Sequence, residues 1–376
     1  MRISFLMWQF GTLPESFPKG ALGGAESAVW HLSKELSRRH EISILCMGKT
    51  YSSSKIDGIT LVRIPPATRW KWVAGDSYYA RAVRAARTAD VIESITCMEP
   101  ALFTDKAALH MENELHPSLP FPKPKAKMYL KKLGNLRCVS GVSRYVTNGF
   151  LRRFGYQGRT ATVMNGADCQ FFTPRKRDRS LLAEKYSLSE DDVVVVYAAA
   201  IHRRKGLHLL LDAMEKTPNR DVRLLVAGGL IYSKKRPEDA RYLDRQLERM
   251  RSMENVSFIG PLNKEDLSSL LASADIFACP SIWNDPCPLV CAEAQASGTP
   301  VVGFSRGGIP ELVEHGETGI ICRAHPQPLA EAIGKLSEDR ALRRRMGRRA
   351  RERAVTYLSW QRIASQLERL LESSFL

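Results

Sequence analysis

The chain has 376 residues, 44% of them hydrophobic and 26% charged, enough for the cores of two domains and too apolar for a mainly disordered protein. It has no apolar run of about 18 residues, which excludes a transmembrane helix, and Met1 to Trp8 is too short for a signal peptide and lacks a cleavage site. The net charge of +16 suits an anionic partner without selecting one. Residues 1–170 carry 24 Lys+Arg against 13 Asp+Glu, so the first half is the more basic. None of the eight cysteines forms CxxC or a zinc-type spacing, as expected of reduced, buried thiols in a cytoplasmic protein.

The first predicted element is a strand over Arg2–Trp8. A Gly-rich loop through Gly20, Gly23 and Gly24 follows, then a helix over Glu26–Arg39 with Ala28, Val29, Leu32 and Leu36 on one face. Strand-like runs recur at Glu41–Cys46, Ile59–Ile64, Asp90–Ile92, Ala107–His110, Arg137–Ser140 and Thr160–Met164, with helical patterns between several of them. That alternation predicts a parallel α/β domain over 1–170. Residues 171–192 turn polar and charged, as an interdomain connection would. The logic then repeats over 193–355, with strands at Val193–Ala199, Val222–Ala227, Val256–Ile259, Ile276–Cys279, Val301–Gly303 and Ile320–Cys322. Helices are predicted at Gly206–Glu215 and Glu238–Met253, and a helical tail runs from Leu329 to Leu370. The arginines of that tail (343–345, 348, 349, 351 and 353) read as a solvated helix face rather than a nucleic-acid site. Residues 356–376 are expected to pack back toward the first domain. Two doubly wound domains joined by a linker imply a cleft, with ligands beyond the carboxyl ends of the strands.

The most informative stretch is Ala278 to Cys322. An irregular loop leads into a helix beginning near Pro288, where proline is favoured. The N–H groups of Leu289 and Val290 should be free there, and a free helix start attracts phosphate. Asp285 precedes that helix and Glu293 lies on it. Carboxylates do not bind phosphate, so these two should hold hydroxyl groups beside it.

The spacing Asp285-x7-Glu293, with 298-GTPVV-302 and 307-GGIPE-311, resembles the E-x7-E region of the retaining GT-B glycosyltransferases of family four. Other segments resemble that family in the expected order: 23-GGAE-26, Val142-Ser143-Arg144, 165-NGAD-168 with Phe172 and Pro174, Lys205-Gly206, and Val256 to Gly260. The resemblance covers most of the chain. It implies a GT-B fold, two Rossmann-like doubly wound domains facing a central cleft. It implies sugar transfer from a nucleotide-diphosphate sugar, a UDP-sugar by family frequency, to a hydroxyl acceptor such as a glycan, a lipid-linked sugar or an aminocyclitol or amino sugar, with retention of configuration.

Carried over residue by residue, Lys205 would neutralise the diphosphate and Gly23 and Gly24 would let backbone approach it. Asp285 would hold the transferred sugar, Glu293 the ribose, and Ile259 and Gly260 the base. No DxD motif occurs, so neither a metal nor a resident cofactor is expected and fixed cationic charge must stabilise the leaving group. Two departures stand out. Asp285 replaces the family's usual glutamate, and Ala200 occupies the position of a family arginine, whose charge Arg203 or Arg204 would then supply.

On the acceptor side His110 matches a family position, while Glu112 stands where a second histidine is usual. Glu93, Glu99, Glu112, Asn113, Glu114 and His116 follow strands of the basic first domain, and suggest an acidic pocket for an amine-bearing or polyhydroxylated acceptor such as an aminocyclitol or amino sugar. Ordinary solvated loop charge is the competing reading, and a structural hydrogen bond is the competing role for His110. His202 and His208 read as structural. Lys123, Lys125, Lys127, Lys131 and Lys132, with Arg69-Trp70-Lys71-Trp72, suggest peripheral contact with an anionic membrane, against plain solubility. A nucleotide-sugar-binding protein without transfer activity is the alternative function. No nucleic-acid module is present, and the sequence is silent on oligomeric state.

Overall fold

The computed structural model describes residues 1–7, 23–65, 78–96, 98–102, 104–113, 133–174, 186, 188–217, 221–230 and 237–376. It divides into two compact units, Met1–Asn165 with Trp360–Leu376, and Gly166–Ser359.

The first unit is built on β1 (Arg2–Met7), β2 (Glu41–Met47), β3 (Ser52–Ile56), β4 (Ile59–Ile64), β5 (Val91–Ile95), β6 (Ala107–Met111), β7 (Leu136–Gly141) and β8 (Arg159–Thr162). Their spatial order is β3-β4-β2-β1-β5-β6-β7-β8. The central strands are buried on both faces and mostly apolar, interrupted by the buried polar residues Ser4, Glu93, Ser94, His110 and Ser140. All pairings are parallel, as expected of the α/β pattern, except that of β4 with the edge strand β3, which the sequence reading did not include. This hairpin turns at Asp57 and Gly58, both with positive φ (50° and 82°), as a two-residue primed turn requires.

Helix α1 (Gly24–Leu36) presents Ala28, Val29, Leu32 and Leu36 to the core. Two further helices, α2 (Tyr78–Ala85) and α3 (Arg144–Phe154), complete the described connections; α3 is capped by the Ser143 side chain and closed by Gly155 in the left-handed region.

The second unit orders its strands β11-β10-β9-β12-β13-β14, all parallel. These are β9 (Val193–Ala198), β10 (Val222–Ala227), β11 (Val256–Gly260), β12 (Ile276–Cys279), β13 (Val301–Phe304) and β14 (Gly319–Cys322). The helices are α4 (Leu207–Lys216), α5 (Pro237–Arg251), α6 (Lys264–Ser273), α7 (Leu289–Ala296), α8 (Ile309–Leu312), α9 (Pro326–Glu338) and α10 (Arg340–Tyr357). One face of the sheet packs Val195, Tyr197, Leu224 and Val226 against Leu207, Leu211, Leu329 and Ile333. The order of strands reverses between β9 and β12 here and between β1 and β5 in the first unit. Open α/β sheets bind ligands beyond the carboxyl ends at such switch points.

The predicted helical tail is three helices, α9, α10 and α11 (Trp360–Phe375). The last belongs to the first unit. It buries Trp360, Ile363, Ala364, Leu367 and Leu371, stacks Trp360 on His31 with ring centroids 5.2 Å apart, and pairs Glu368 with His40 (2.6 Å) and Arg39 (2.8 Å). The expected solvated arginine face holds for Arg344, Arg345, Arg348 and Arg349, which are exposed, and is corrected for the other three. Arg343 is buried and donates to the carbonyls of Leu336 and Ser337. Arg351 donates to the carbonyls of Cys169, Phe172 and Ala296, and Arg353 to those of Glu311 and Leu312. Each guanidinium satisfies carbonyls that helix ends and loops leave unpaired.

Candidate active site

In the second unit the chain leaves β9 and turns through a short 3-10 helix, Arg203–Lys205, closed by Gly206 at φ +73°. It leaves β12 into the loop from Pro280 to Pro288. The two loops lie backbone on backbone: Ile282 N donates to Arg204 O (2.9 Å), and a Cβ on Gly206 would sit 1.8 Å from Pro280 O. Across this seam Lys205 Nζ meets Asp285 Oδ2 at 2.5 Å, and Ser281 Oγ lies 3.5 Å from the same oxygen. Burial opposes the Lys205 charge, but Asp285 outweighs it and raises the ammonium above its usual range. The ion pair therefore stands at the β9/β12 switch point. The Gly307–Gly308 turn supports it, with Gly308 N donating to Asp285 O (2.8 Å).

Gly206→Ala combines a left-handed φ with a backbone overlap. It is expected to cost about 2–6 kcal/mol, read as a lowered midpoint in denaturant unfolding. A midpoint equal to the parent's would mean that the two loops separate freely.

Pro288 caps α7, so Leu289 and Val290 open the helix, and neither N–H has a backbone acceptor among the described residues. Glu293, half-buried on α7, is pushed up to about 7 by burial, against the pull of Lys264. Asp285 is thus ion-paired with Lys205, whereas Glu293 makes no ion pair among the described residues and feels Lys264 only through its field. Lys264 also stands 3.8 Å from Asp168 and over the rings of Phe171 and Phe172. Arg203 and Arg204 are exposed; Arg204 lies over the Trp283 ring at 5.8 Å, and neither pairs with Asp285. Ile259 and Gly260 end the edge strand β11, Gly260 at φ +79° with open space where a Cβ would stand. Sequence reasoning missed Trp283, whose buried Nε1 has no partner among the described residues, and Lys264. His208 bonds to the Tyr242 hydroxyl at 3.0 Å.

In the first unit β5 and β6 pair Ile95 with His110, and β7 sets Ser140 opposite His110. Residues two apart share a face of a sheet, so Glu93, His110 and Ser140 line one side. His110 Nδ1 is 2.7 Å from Ser140 Oγ, and its Nε2 is 3.5 Å from Glu112 Oε1. Asn165 donates to Glu112 Oε2 at 3.1 Å, and Glu112 N donates to Thr96 Oγ1 at 2.9 Å. Thr96 itself holds φ +52°. Burial works against the charged form of His110, but Glu112 and Glu93 together raise it above the ordinary imidazole value. Burial pushes Glu93 up to about 7 and also raises Glu26. Glu26 Oε2, Glu93 Oε2 and Glu112 Oε1 are buried without a hydrogen-bond partner.

Glu26, on the first turn of α1, entered the sequence reading only as part of a motif; its burial joins it electrostatically to Glu112. Gly23 caps α1 in an extended conformation open to any residue, so glycine there contributes only its missing side chain. Asn113 is half-buried at the end of β6 and Glu99 lies in a short 3-10 turn. Glu114, His116, the lysines of 123–132 and the Arg69–Trp72 segment lie outside the described residues, as does most of the predicted 171–192 connection. Among the described residues no helix is long and apolar enough to cross a membrane.

Two Rossmann-like units of this order define the GT-B architecture. The solved structure of Anabaena HepE with UDP-glucose has the same fold, with a TM-score of 0.77 at 22% identity over 99% of this chain and all of that one. Two family models match in tandem, Glycosyltransferase Family 4 over residues 22–171 and Glycosyl transferases group 1 over 178–353. The chain is a GT-B fold glycosyltransferase with similarity to both of these groups. It is 30% identical over 246 residues to spore coat protein SA of Bacillus subtilis, covering 62% of this chain and 64% of that protein. It is 33% identical over 220 residues to the D-inositol 3-phosphate glycosyltransferase of Corynebacterium glutamicum, covering 56% and 51%. The chain thus spans between half and two thirds of the length of these two relatives.

Proposed function

We propose that this chain transfers a glycosyl group from a nucleotide-diphosphate sugar, a UDP-sugar first among them, to a hydroxyl of an acceptor, with retention of configuration and without a metal. The observation that carries this reading is the Lys205–Asp285 pair at the β9/β12 switch point, near the open start of α7. In the free protein each partner neutralises the other. A diphosphate entering there takes the ammonium and the N–H groups of Leu289 and Val290, and Asp285 is released to accept from a hydroxyl of the transferred sugar. As the bond from the anomeric carbon to the diphosphate oxygen breaks, negative charge grows on that oxygen, where Lys205 and the helix start are fixed in advance. The acceptor oxygen closes on the same face of the sugar and its proton leaves with the diphosphate. Glu293 holds the ribose hydroxyls, and Ile259 and Gly260 bound the base.

The acceptor reading rests on the first unit. Of three buried carboxylates, Glu93 and Glu112 share one imidazole as countercharge and Glu26 adds a further acid beside Glu112, a balance that an ammonium group would complete and a phosphate would worsen. This favours a polyhydroxylated amine, an aminocyclitol or amino sugar, over a phosphorylated polyol. A thermal-shift screen of UDP-, GDP- and ADP-sugars, followed by measurement of released nucleoside diphosphate, tests the whole reading. The expected result is a raised midpoint with one base, release of diphosphate only when an amine-bearing acceptor is added, unchanged rates in EDTA, and an α-linked product from an α-linked donor. A raised midpoint with no release under any acceptor would instead favour a nucleotide-sugar-binding protein.

A further inference from the structure

Helix α10 carries eight arginines against one glutamate. Four of them are committed. Arg343, Arg351 and Arg353 pin carbonyls as described, and Arg349 pairs with Glu317 and Glu352. The other four, Arg340, Arg344, Arg345 and Arg348, are exposed and have no ion pair or hydrogen bond among the described residues. Arg340, Arg344 and Arg348 follow one another at four-residue steps, so they stand in a row about 12 Å long on one face. Like charges at that spacing repel and destabilise the helix; the one acidic side chain lining the row is Glu352, which pairs with Arg349.

The row borders a groove of about 930 Å³, closed on its other side by Pro174, Gly298 and Pro300. The helix is seated hard against that wall: a Cβ on Gly347 would lie 2.3 Å from Gly298 O. Pro300 precedes β13, and Arg343 is tied to Asp275, which precedes β12 (3.5 Å). The groove therefore lies at the amino-terminal edge of the sheet, whereas Lys205 and Asp285 lie at the carboxyl edge. Its charge is not used by the donor chemistry.

We propose that this groove binds a linear polyanion whose phosphate groups repeat along an extended chain. Guanidinium groups grip phosphate oxygens in pairs, and several fixed in a row suit several phosphates in a row. The groove is concave, a poor match for a bilayer surface, and Val355 is its one large apolar side chain, where membrane-binding helices present broad apolar faces. No aromatic ring lines it, so the base stacking by which single-stranded nucleic acid is held is not available.

The test is fluorescence anisotropy with labelled linear inorganic polyphosphate at several salt concentrations. Competitors are an oligothymidylate and vesicles containing an anionic phospholipid. With four arginines engaged, log affinity should fall with log salt at a slope of about 3, taking about 0.7 per phosphate. R344Q/R348Q should weaken binding at least about tenfold and lower that slope by about 1.4, with an unfolding midpoint no lower than the parent's, since it removes a like-charge pair. R241Q/R245Q, which removes the same charge at the same spacing from α5, should leave binding intact. The proposal is overturned if the α5 variant weakens binding as much as the α10 variant. It is equally overturned if R344Q/R348Q binds like the parent, or if the oligothymidylate or the vesicles bind more tightly than polyphosphate.

Discussion

Lys205→Ala is expected to reduce kcat/KM by at least about a hundredfold, because it removes a fixed donor from the oxygen that gains charge, an effect of about 2.7–4 kcal/mol in comparable oxyanion sites. It should also destabilise the fold. Asp285 is 4% exposed, and a buried charge stripped of its partner costs about 3–5 kcal/mol. These two losses separate in a double variant. Lys205→Met with Asp285→Asn leaves neither charge buried, so unfolding in denaturant should return most of the way to the parent midpoint while transfer stays lost. Asp285→Asn alone should lower the Lys205 pKa, since Asp285 is what holds the ammonium up against burial. Single alanine variants at Arg203 and Arg204 provide the comparison. If Lys205→Ala retains activity within a few-fold and Arg203→Ala or Arg204→Ala does not, the diphosphate is neutralised by the exposed arginines of the turn.

Strand positions were legible because buried parallel strands are continuous apolar runs: Val193–Ala198 reads VVVVYA and is buried throughout. The strand Ser52–Ile56 was not, since SSSKI is a polar edge with exposed side chains. Its signal was the Asp57-Gly58 turn before an alternating strand. The residues proposed for the donor site stood out as a pattern of spacings, whereas the pairing of Lys205 with Asp285 did not. That Asp285 meets Lys205 depends on which loops the strand order brings together. The arginines of α10 make the same point in reverse. Their spacing suggested a solvated face, but Arg351 reaches carbonyls at residues 169, 172 and 296, contacts that no local pattern encodes.

Glu93→Gln is expected to make the protein more stable at pH 8 and a poorer enzyme toward amine acceptors. In the unfolded chain Glu93 ionises near 4.5, and in the folded chain near 7. Between those values the folded state holds a proton that the unfolded state has lost, so stability falls as pH rises through the window. The full loss, reached above pH 7, is about 3 kcal/mol at about 1.4 kcal/mol per pKa unit. Glutamine does not ionise, so the variant and parent should agree near pH 4 and diverge by up to that amount at pH 8. The variant's curve should still slope, because Glu293 titrates over the same range. The parent retains the costly carboxylate, as expected where a group is kept for binding rather than for folding. Its loss should lower kcat/KM for an ammonium-bearing acceptor at least tenfold and leave a neutral polyol unchanged, since only the first gains from the added negative charge. A variant less stable than the parent at pH 8 would mean that the Glu93 charge is already satisfied within the fold. Equal effects on charged and neutral acceptors would mean that the buried acids shape the site without reading charge.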